Sequence, residues 1–216
     1  MIMKKITATL LGMGATLLAT TGWALDAGEV LVRVGPAGVF PNDRATDLNN
    51  LGLPDAKPSV GNAWSAGLTL AYMATENIGI ELVAAYPFKH KITGDGAISG
   101  LGKIGDTKQL PPTLLVQYYF LPKEHIRPYI GAGLNYTIFF DTNGNAPVNS
   151  LDLSNSWGYA GELGVDVDLN KDWFINVSSW YMDIKTQAKA KVGDVTSKSN
   201  VNIDPVVVMF AIGTHF

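Results

Sequence analysis

Large apolar residues alternate with small or polar residues in eight separate runs of this chain. In the clearest run, Trp64 and Tyr72 share one parity with other apolar residues, whereas Ser65 and Thr69 occupy the other parity. Successive side chains of a β-strand point to opposite faces, so a period of two predicts a strand with one apolar face. The eight runs cover residues 29–35, 64–72, 78–88, 112–120, 128–140, 157–167, 173–182 and 205–216.

The connections between these runs alternate strictly between long and short. The long connections are 36–62, 89–110, 141–155 and 185–200, and the short ones are 73–77, 121–126 and 168–172. A tilted strand needs about 9–11 residues to cross a bilayer, and transmembrane barrels have long outer loops and short periplasmic turns. The pattern predicts an all-β fold: an eight-stranded antiparallel transmembrane β-barrel with four long outer loops, three short periplasmic turns and periplasmic N- and C-termini.

A soluble up-and-down barrel such as a lipocalin is the alternative, and its large apolar side chains would face inward. Here the charged strand residues Arg33, Glu81, Glu162 and Asp166 fall on the parity opposite to the large apolar residues. Aromatic residues also mark both ends of the apolar face, as in the interfacial girdles of membrane barrels. They are Trp64, Phe88, Phe140, Trp157 and Tyr181 at the outer end, and Tyr72, Phe120, Trp173 and Phe216 at the inner end. Both observations favour the membrane barrel.

Composition agrees with strands rather than helices as the spanning elements. Apolar residues make up 47% of the chain and charged residues 16%, against about 25% charged in a typical soluble domain. Yet past Ala24 no apolar run approaches the roughly 18 residues of a spanning helix. The chain has no cysteine, which excludes disulfides and thiolate metal sites, and its net charge of −3 gives no support for nucleic acid as a partner.

The first 24 residues have the features of a secretory signal. Lys4 and Lys5 precede an apolar run from 6 to 19, and Gly22-Trp23-Ala24 forms a small-x-small cleavage site. A membrane anchor is the alternative, but the run is shorter than the about 20 residues of a helical span. We predict a cleaved signal peptide at 1–24 and one barrel domain at 25–216.

Several strings of the mature chain resemble the OmpW/AlkL family of small outer-membrane β-barrel proteins. The matching strings are YMATENIGIEL at 72–82, PFKHK at 87–91, QLPPTL at 109–114, RPYIGAGLNY at 127–136 and WYMDI at 180–184. The resemblance implies an eight-stranded barrel in the Gram-negative outer membrane, with an interior pocket and a role in moving small apolar compounds across that membrane.

Strand parity and direction together assign each inward residue to a height in the lumen. The outer half is predicted to be an apolar ligand-binding funnel, or else ordinary packing, formed by Val83, Ala85, Leu115, Phe139, Ala160, Trp180, Met182, Val207 and Met209. The periplasmic half is predicted to hold a polar plug of Arg33, Glu81, Gln117, Glu162 and Asp166, accompanied by Tyr119, Asn176, Ser178 and His215. Buried charges need partners, so this cluster either closes the barrel or conducts.

These residues predict passive uptake of small hydrophobic molecules. A solute that meets the polar plug would leave sideways into the membrane, where a proline interrupts the strand ladder, and Pro87, Pro111 and Pro112 are the candidates. The alternative is a structural or adhesive barrel acting through its outer loops, in contact with lipopolysaccharide, phage or host. In that case Lys185, Lys189, Lys191 and Lys198 would contact lipopolysaccharide phosphates, or merely form a solvated hairpin tip.

The sequence does not favour catalysis. His90, His125 and His215 belong to different ends of the predicted barrel, no spacing suggests a metal site, and no cofactor is expected. The expected partners are outer-membrane lipid, lipopolysaccharide and small apolar solutes. The terminal aromatic Phe216 resembles the signal by which the barrel-assembly machinery recognises its clients.

Overall fold

The computed structural model describes residues 25–48 and 54–216, so the predicted signal peptide lies outside the described residues. Its regular elements are β1 Val30–Phe40, β2 Arg44–Ala45, β3 Ala56–Val60, β4 Ala63–Met73, β5 Ile78–Ala85, β6 Phe88–Gly96, a 3₁₀ turn Ser99–Leu101, β7 Lys103–Leu110, β8 Thr113–Tyr119, β9 Ile126–Gly144, β10 Val148–Leu153, β11 Ser156–Asp168, β12 Trp173–Met182, β13 Lys185–Val192, β14 Val195–Asn202 and β15 Val206–His215. No helix within the described ranges is long and apolar enough to cross a membrane.

Eight of these strands close into an antiparallel barrel in the order β1-β4-β5-β8-β9-β11-β12-β15. β15 returns to β1, with pairs from Leu31↔His215 to Phe40↔Val206. The last residue continues this ladder, because Phe216 and Val30 exchange backbone hydrogen bonds of 3.0 Å in both directions. The predicted strand number, the antiparallel order and the closure of the C-terminal strand onto the first are confirmed.

The chain ends and the three short turns lie at one end of the barrel. The turns join β4 to β5, β8 to β9 and β11 to β12. At the same end, the Leu25 N–H donates to the carbonyl of Pro122, 2.8 Å away, in the second of these turns. The four long connections lie at the opposite end, as their alternation in length predicts.

The outer surface of the barrel is apolar over most of its height. Burial alternates residue by residue along β4, and side chains such as Leu134, Leu163 and Trp157 are 62–72% exposed. A continuous apolar belt of this kind needs lipid rather than water around it. Phe88, predicted in the outer aromatic girdle, is 2% exposed and faces inward. The strand is interrupted between β5 and β6, so the even-numbered residues that face lipid in β5 face inward in β6.

The long connections are mostly strands, which the sequence pattern did not predict. β3, β6 and β7 extend the barrel sheet above β9, and β10, β13, β14 and β2 form a separate four-stranded sheet. We call these seven strands the outer extension. In β13 the buried positions are Thr186, Ala188 and Ala190, and lysines alternate with them. Buried and exposed residues alternate with a period of two, but the buried side chains are small, so they differ little in hydrophobicity from their exposed neighbours. β1 also continues to Phe40, through Pro36, where a loop was predicted.

Among the described residues, the interior has three apolar clusters. The uppermost lies within the outer extension and includes Leu48, Ile98, Ile104 and Leu151. The middle cluster fills the outer half of the barrel around Trp180. The lowest closes the periplasmic end with Leu25, Leu31, Ala71, Met73, Tyr119, Tyr129 and Phe174. Three of its aromatic residues, Tyr119, Tyr129 and Phe174, also pack against the polar residues that the sequence assigned to the periplasmic half.

The Tyr129 ring packs closely against Gly164 of β11, and a substitution at this glycine tests the packing of the barrel interior. A Cβ added at Gly164 would lie 2.2 Å from Cζ of Tyr129, whereas one added at Gly161 of the same strand meets no atom within 4 Å. We expect Gly164→Ala to lower the free energy of unfolding by about 1–3 kcal/mol, the usual cost of overpacking. Urea titration of the protein in lipid vesicles measures this, with Gly161→Ala as the matched control. Equal midpoints for the two variants would contradict the packing of Tyr129 over Gly164.

Candidate functional site

Arg33 is the centre of a buried polar layer in the periplasmic half of the barrel. Its Nε and Nη2 donate to the two carboxylate oxygens of Asp166, at 3.0 and 2.7 Å. Nη1 donates to Glu81 Oε1 at 3.1 Å, and Nη2 also donates to the Tyr119 hydroxyl at 2.6 Å. Arg33, Glu81, Tyr119 and Asp166 are each 0% exposed. A bidentate Arg–carboxylate pair fixes both partners in one geometry.

The polar layer continues around the wall through side-chain hydrogen bonds. The Tyr119 hydroxyl donates to Gln117 Oε1 at 3.3 Å, and Gln117 Nε2 donates to Glu162 Oε2 at 2.9 Å. On the other side, Asn176 Nδ2 donates to Asp166 Oδ1 at 2.8 Å. The five residues of the predicted polar plug, Arg33, Glu81, Gln117, Glu162 and Asp166, therefore share one hydrogen-bonded network.

A second buried ion pair supports this layer, and sequence reasoning missed it. Arg127 pairs with Asp168, and their side chains are 2% and 3% exposed. The predicted strand began one residue after Arg127, and Asp168 was assigned to a turn. Both guanidinium groups lie over the Phe174 ring, whose centroid is 5.5 Å from Cζ of Arg33 and 5.8 Å from Cζ of Arg127. Both distances are within the range of cation–π attraction.

Large side chains fill the cross-section at this height. Arg33, Arg127, Tyr119, Tyr129 and Phe174 are each at most 2% exposed. Ser178, predicted in this half, donates to Asn176 at 2.8 Å. His215 lies lower, half-buried at the periplasmic rim, with Nε2 2.8 Å from the Lys171 carbonyl oxygen. The described side chains thus pack against one another in this layer instead of lining an open pore.

Removing Arg33 tests the contribution of this network to stability. Arg33→Met leaves the carboxylates of Glu81 and Asp166 buried without their cation, and we expect a loss of about 3–5 kcal/mol in the free energy of unfolding. Adding Asp166→Asn to the variant removes one uncompensated charge and should restore part of that loss. The control is Lys123→Gln, which breaks the exposed pair with Glu76 and should leave the urea midpoint unchanged. An Arg33→Met midpoint equal to that of the control would contradict the assignment.

The predicted apolar funnel residues lie together in the outer half of the barrel. Val83, Leu115, Phe139, Ala160, Trp180, Met182, Val207 and Met209 belong to the middle apolar cluster, and Ala85 packs against it. Phe88, Ala37 and Val39 join them, although the sequence assigned the first to the lipid face and the other two to a loop. Asn135 and Thr137 are also buried there, and the Thr137 hydroxyl donates to Asn135 Oδ1 at 2.7 Å.

The cavity among these residues is small. It measures about 20 Å³ and is bordered by Val83, Trp180 and Met209 on the lumen side and by Ala84 and Pro111 on the wall side. Such a volume accommodates about one water molecule. In this conformation the predicted funnel is packed, and a larger solute requires its side chains to move.

Two apolar cavities lie among the described residues of the outer extension. The larger, about 160 Å³, is lined only by apolar residues: Leu48, Pro58, Ile98, Leu101, Ile104, Pro147, Val148, Leu151, Ala188, Ala190 and Val192. The smaller, about 20 Å³, shares Pro58, Leu151 and Ala188 with it and reaches Phe139 of the middle cluster. Apolar contacts therefore continue from the outer extension into the barrel. Sequence reasoning missed both cavities because it treated these segments as polar loops.

The predicted exit prolines flank an interruption of the barrel wall. β5 and β8 pair from Ile78↔Tyr118 up to Val83↔Thr113. Pairing resumes in the outer extension, between β6 and β7, at Phe88↔Gln109. Residues 84–87 and 110–112 lie between these two ladders, so Pro87, Pro111 and Pro112 all fall within the interruption. The cavity next to Trp180 lies against this part of the wall.

Other candidate groups are dispersed. His90 lies in β6, His125 in a periplasmic turn and His215 at the inner rim, and within the described ranges no cluster of three or more His, Cys, Asp or Glu could hold a metal ion. Lys185, Lys189 and Lys191 of β13 and Lys198 of β14 are exposed, and Lys189 pairs directly with Lys198. They cover one face of the four-stranded sheet, not only its tip.

A closed eight-stranded sheet, an apolar outer belt and a buried polar layer together define an outer-membrane β-barrel of the small, eight-stranded class. The chain belongs to the OmpW family, whose model matches residues 26–216. The predicted family and outer-membrane location are thereby confirmed.

Individual relatives agree with this assignment. Outer membrane protein W of Salmonella typhimurium is 46% identical over 221 residues, covering 99% of this chain and 100% of that protein. Dibenzothiophene metabolism operon protein PahQ of Pseudomonas aeruginosa is 30% identical over 203 residues, covering 92% of this chain and 93% of that protein. The crystal structure of OprG from Pseudomonas aeruginosa superposes with a TM-score of 0.85 at 39% identity, covering 90% of this chain and 99% of that one.

Proposed function

We propose that this barrel mediates passive uptake of small hydrophobic molecules across the outer membrane. Solutes enter through the outer extension, pass the middle apolar cluster and leave sideways into the bilayer between β5 and β8. The observation that carries the proposal is the course of the apolar interior, which borders the wall interruption at Ala84 and Pro111 and adjoins the charged layer around Arg33 below.

The energetics favour a lateral route over an axial one. An apolar solute moving further down the barrel would have to separate the hydrogen-bonded groups around Arg33, which leaves charges buried without partners. Moving outward at Ala84 exchanges one apolar environment for another. The interruption lies where Pro111 and Pro112 cannot donate ladder hydrogen bonds. A local opening there separates few backbone pairs.

The middle cluster has side chains suited to transient opening. Met182 and Met209 line the small cavity beside Trp180, and methionine adapts its shape with little loss of packing. A relative at 30% identity carries the name of a dibenzothiophene metabolism operon, and an apolar aromatic solute of that kind fits the chemistry of this interior. The family membership supports a binding and transport role rather than catalysis.

A second function follows from the lysine face of β13 and β14. Lys189, Lys191 and Lys198 point away from the apolar interior of the outer extension and are exposed, which suits contact with lipopolysaccharide phosphates or another polyanionic surface. An adhesive or structural role would use this face and would not need the apolar interior.

The exposed Phe216 at the periplasmic rim is the expected contact for the barrel-assembly machinery.

A charge placed in the middle cluster should stop uptake. Val83 is buried and lines the cavity next to the wall interruption. We expect Val83→Asp, or a charged residue at Trp180, to lower the rate of toluene or octane uptake by at least about tenfold, because burying a charge without a partner is costly. Uptake by cells with and without the protein measures this, with heat-modifiable gel mobility as the check on folding. Val195→Asp, on an exposed position of β14, is the control. Unchanged uptake in folded Val83→Asp would refute the apolar route.

Blocking the wall separates lateral from axial exit. Ala84 borders the cavity from the wall side, so a large lipid-facing side chain in Ala84→Trp should cover the exit and reduce apolar uptake several-fold. Ala132→Trp makes the same change at a lipid-exposed alanine of β9 that pairs with Val116, within the regular β8–β9 ladder and outside the interruption. Both changes should leave the barrel folded, since lipid accommodates tryptophan well. If Ala84→Trp and Ala132→Trp transport alike, solutes do not leave at this point of the wall.

A further inference from the structure

Two polar side chains lie deep in the apolar interior of the outer extension. His90 of β6 and Gln109 of β7 are both 0% exposed. Their strands are adjacent, with pairs Phe88↔Gln109 and His90↔Thr107, so the two side chains are diagonal neighbours on one face of the hairpin. Both line the cavity of about 20 Å³, which shares lining residues with the 160 Å³ cavity and reaches Phe139 of the barrel.

The hydrogen bonding of His90 determines what its free nitrogen can accept. Nδ1 lies 2.7 Å from the carbonyl oxygen of Gly61. A carbonyl oxygen only accepts, so Nδ1 carries the proton and the neutral ring presents a lone pair at Nε2. Burial lowers the pKa of His90 below its usual value, against the opposing effect of this hydrogen bond, which favours the neutral ring. Nε2 has no hydrogen-bond partner within the described ranges.

Gln109 offers the complementary groups. Neither its amide nitrogen nor its amide oxygen has a hydrogen-bond partner among the described residues. Polar neighbours in the same cavity are already engaged: the hydroxyls of Thr107 and Thr142 lie 2.9 Å apart, and the Thr186 hydroxyl donates to the Ser154 carbonyl at 2.7 Å. Buried polar groups are usually hydrogen-bonded, so unpartnered atoms on two adjacent residues indicate a site for a polar group from outside the chain.

We propose that His90 and Gln109 form a hydroxyl-recognition site, which binds the head group of a small apolar alcohol or phenol on its way into the barrel. The ligand O–H donates to Nε2 of His90, and the ligand oxygen accepts from the amide of Gln109. This inference rests on the proposed uptake function and names a class of solute for it.

The two cavities match the two parts of such a ligand. The cavity of about 20 Å³ beside His90 suits a single hydroxyl group, which is about the size of a water molecule. The adjoining apolar cavity of about 160 Å³ is close to an engineered cavity of about 150 Å³ that binds benzene. A phenyl ring or a short alkyl chain therefore fits the larger cavity while its hydroxyl reaches the smaller one. A carboxylate has no proton to donate to the lone pair of His90, so ionised acids are not expected to bind.

A comparison of phenol with toluene tests the site, because the two molecules differ only by hydroxyl and methyl. The full mature chain in lipid nanodiscs is titrated with each compound while the Gln109 side-chain amide is followed by NMR. We expect phenol to shift that amide and to bind at least about tenfold more tightly than toluene, which corresponds to about 1.4 kcal/mol. Gln109→Leu and His90→Phe should lose this preference but still bind toluene. Gln187→Leu makes the same amide-to-leucine change at a partly exposed position of β13 and should keep it.

Each outcome decides the question. Equal affinity for phenol and toluene in the unmodified chain, or a preference that survives in both folded variants, refutes the hydroxyl site and leaves His90 and Gln109 as structural residues. If a variant does not fold, the amide shift in the unmodified chain still decides. The proposed function is tested separately by cell uptake: toluene uptake without a phenol preference retains the function and rejects the site. Phenol binding at Gln109 without uptake retains the site and rejects the function.

Discussion

The structure depends on the requirement that every backbone polar group inside a bilayer finds its partner within the protein. Lipid offers no hydrogen bonds, so the strands must form a closed sheet. Closure with eight strands leaves an interior just wide enough for side chains, and the polar groups placed there must satisfy one another. The network around Arg33, the second pair of Arg127 with Asp168 and the apolar cluster packed against them all satisfy this requirement within the narrow interior.

The narrow interior of the barrel is divided along its axis into regions of different chemistry. The polar layer occupies the periplasmic half, whereas the outer half and the outer extension are largely apolar. β9 connects these regions because it is 19 residues long and pairs with β8 and β11 below and with β7 above. The outer extension is thus a continuation of the barrel sheet on this side. An interruption in pairing occurs where β5 and β8 give way to β6 and β7.

The sequence predicted the barrel well because a lipid-facing strand requires large apolar residues at every second position. Val83, Trp180 and Met209 were assigned to the lumen by parity alone, and Arg33 and Asp166 to a common cluster. The outer extension was missed because strands such as β13 bury alanine and threonine, which contrast weakly with their polar neighbours. Phe88 was misplaced because parity cannot be carried across the break at Pro87. His90 and Gln109 have no signal in a pattern of this kind, since only the fold brings their unpartnered atoms to one cavity.

The pairing of Phe216 with Val30 also constrains how the protein is made. The first and last strands are neighbours in space but are separated by almost the whole chain, and such long-range pairs form slowly. Until β15 arrives, β1 presents an unpaired edge that another strand could join. The barrel therefore cannot close during synthesis. Until β15 pairs with β1 the sheet stays incompletely paired, and the residues up to Phe216 complete the seam that makes it compatible with lipid.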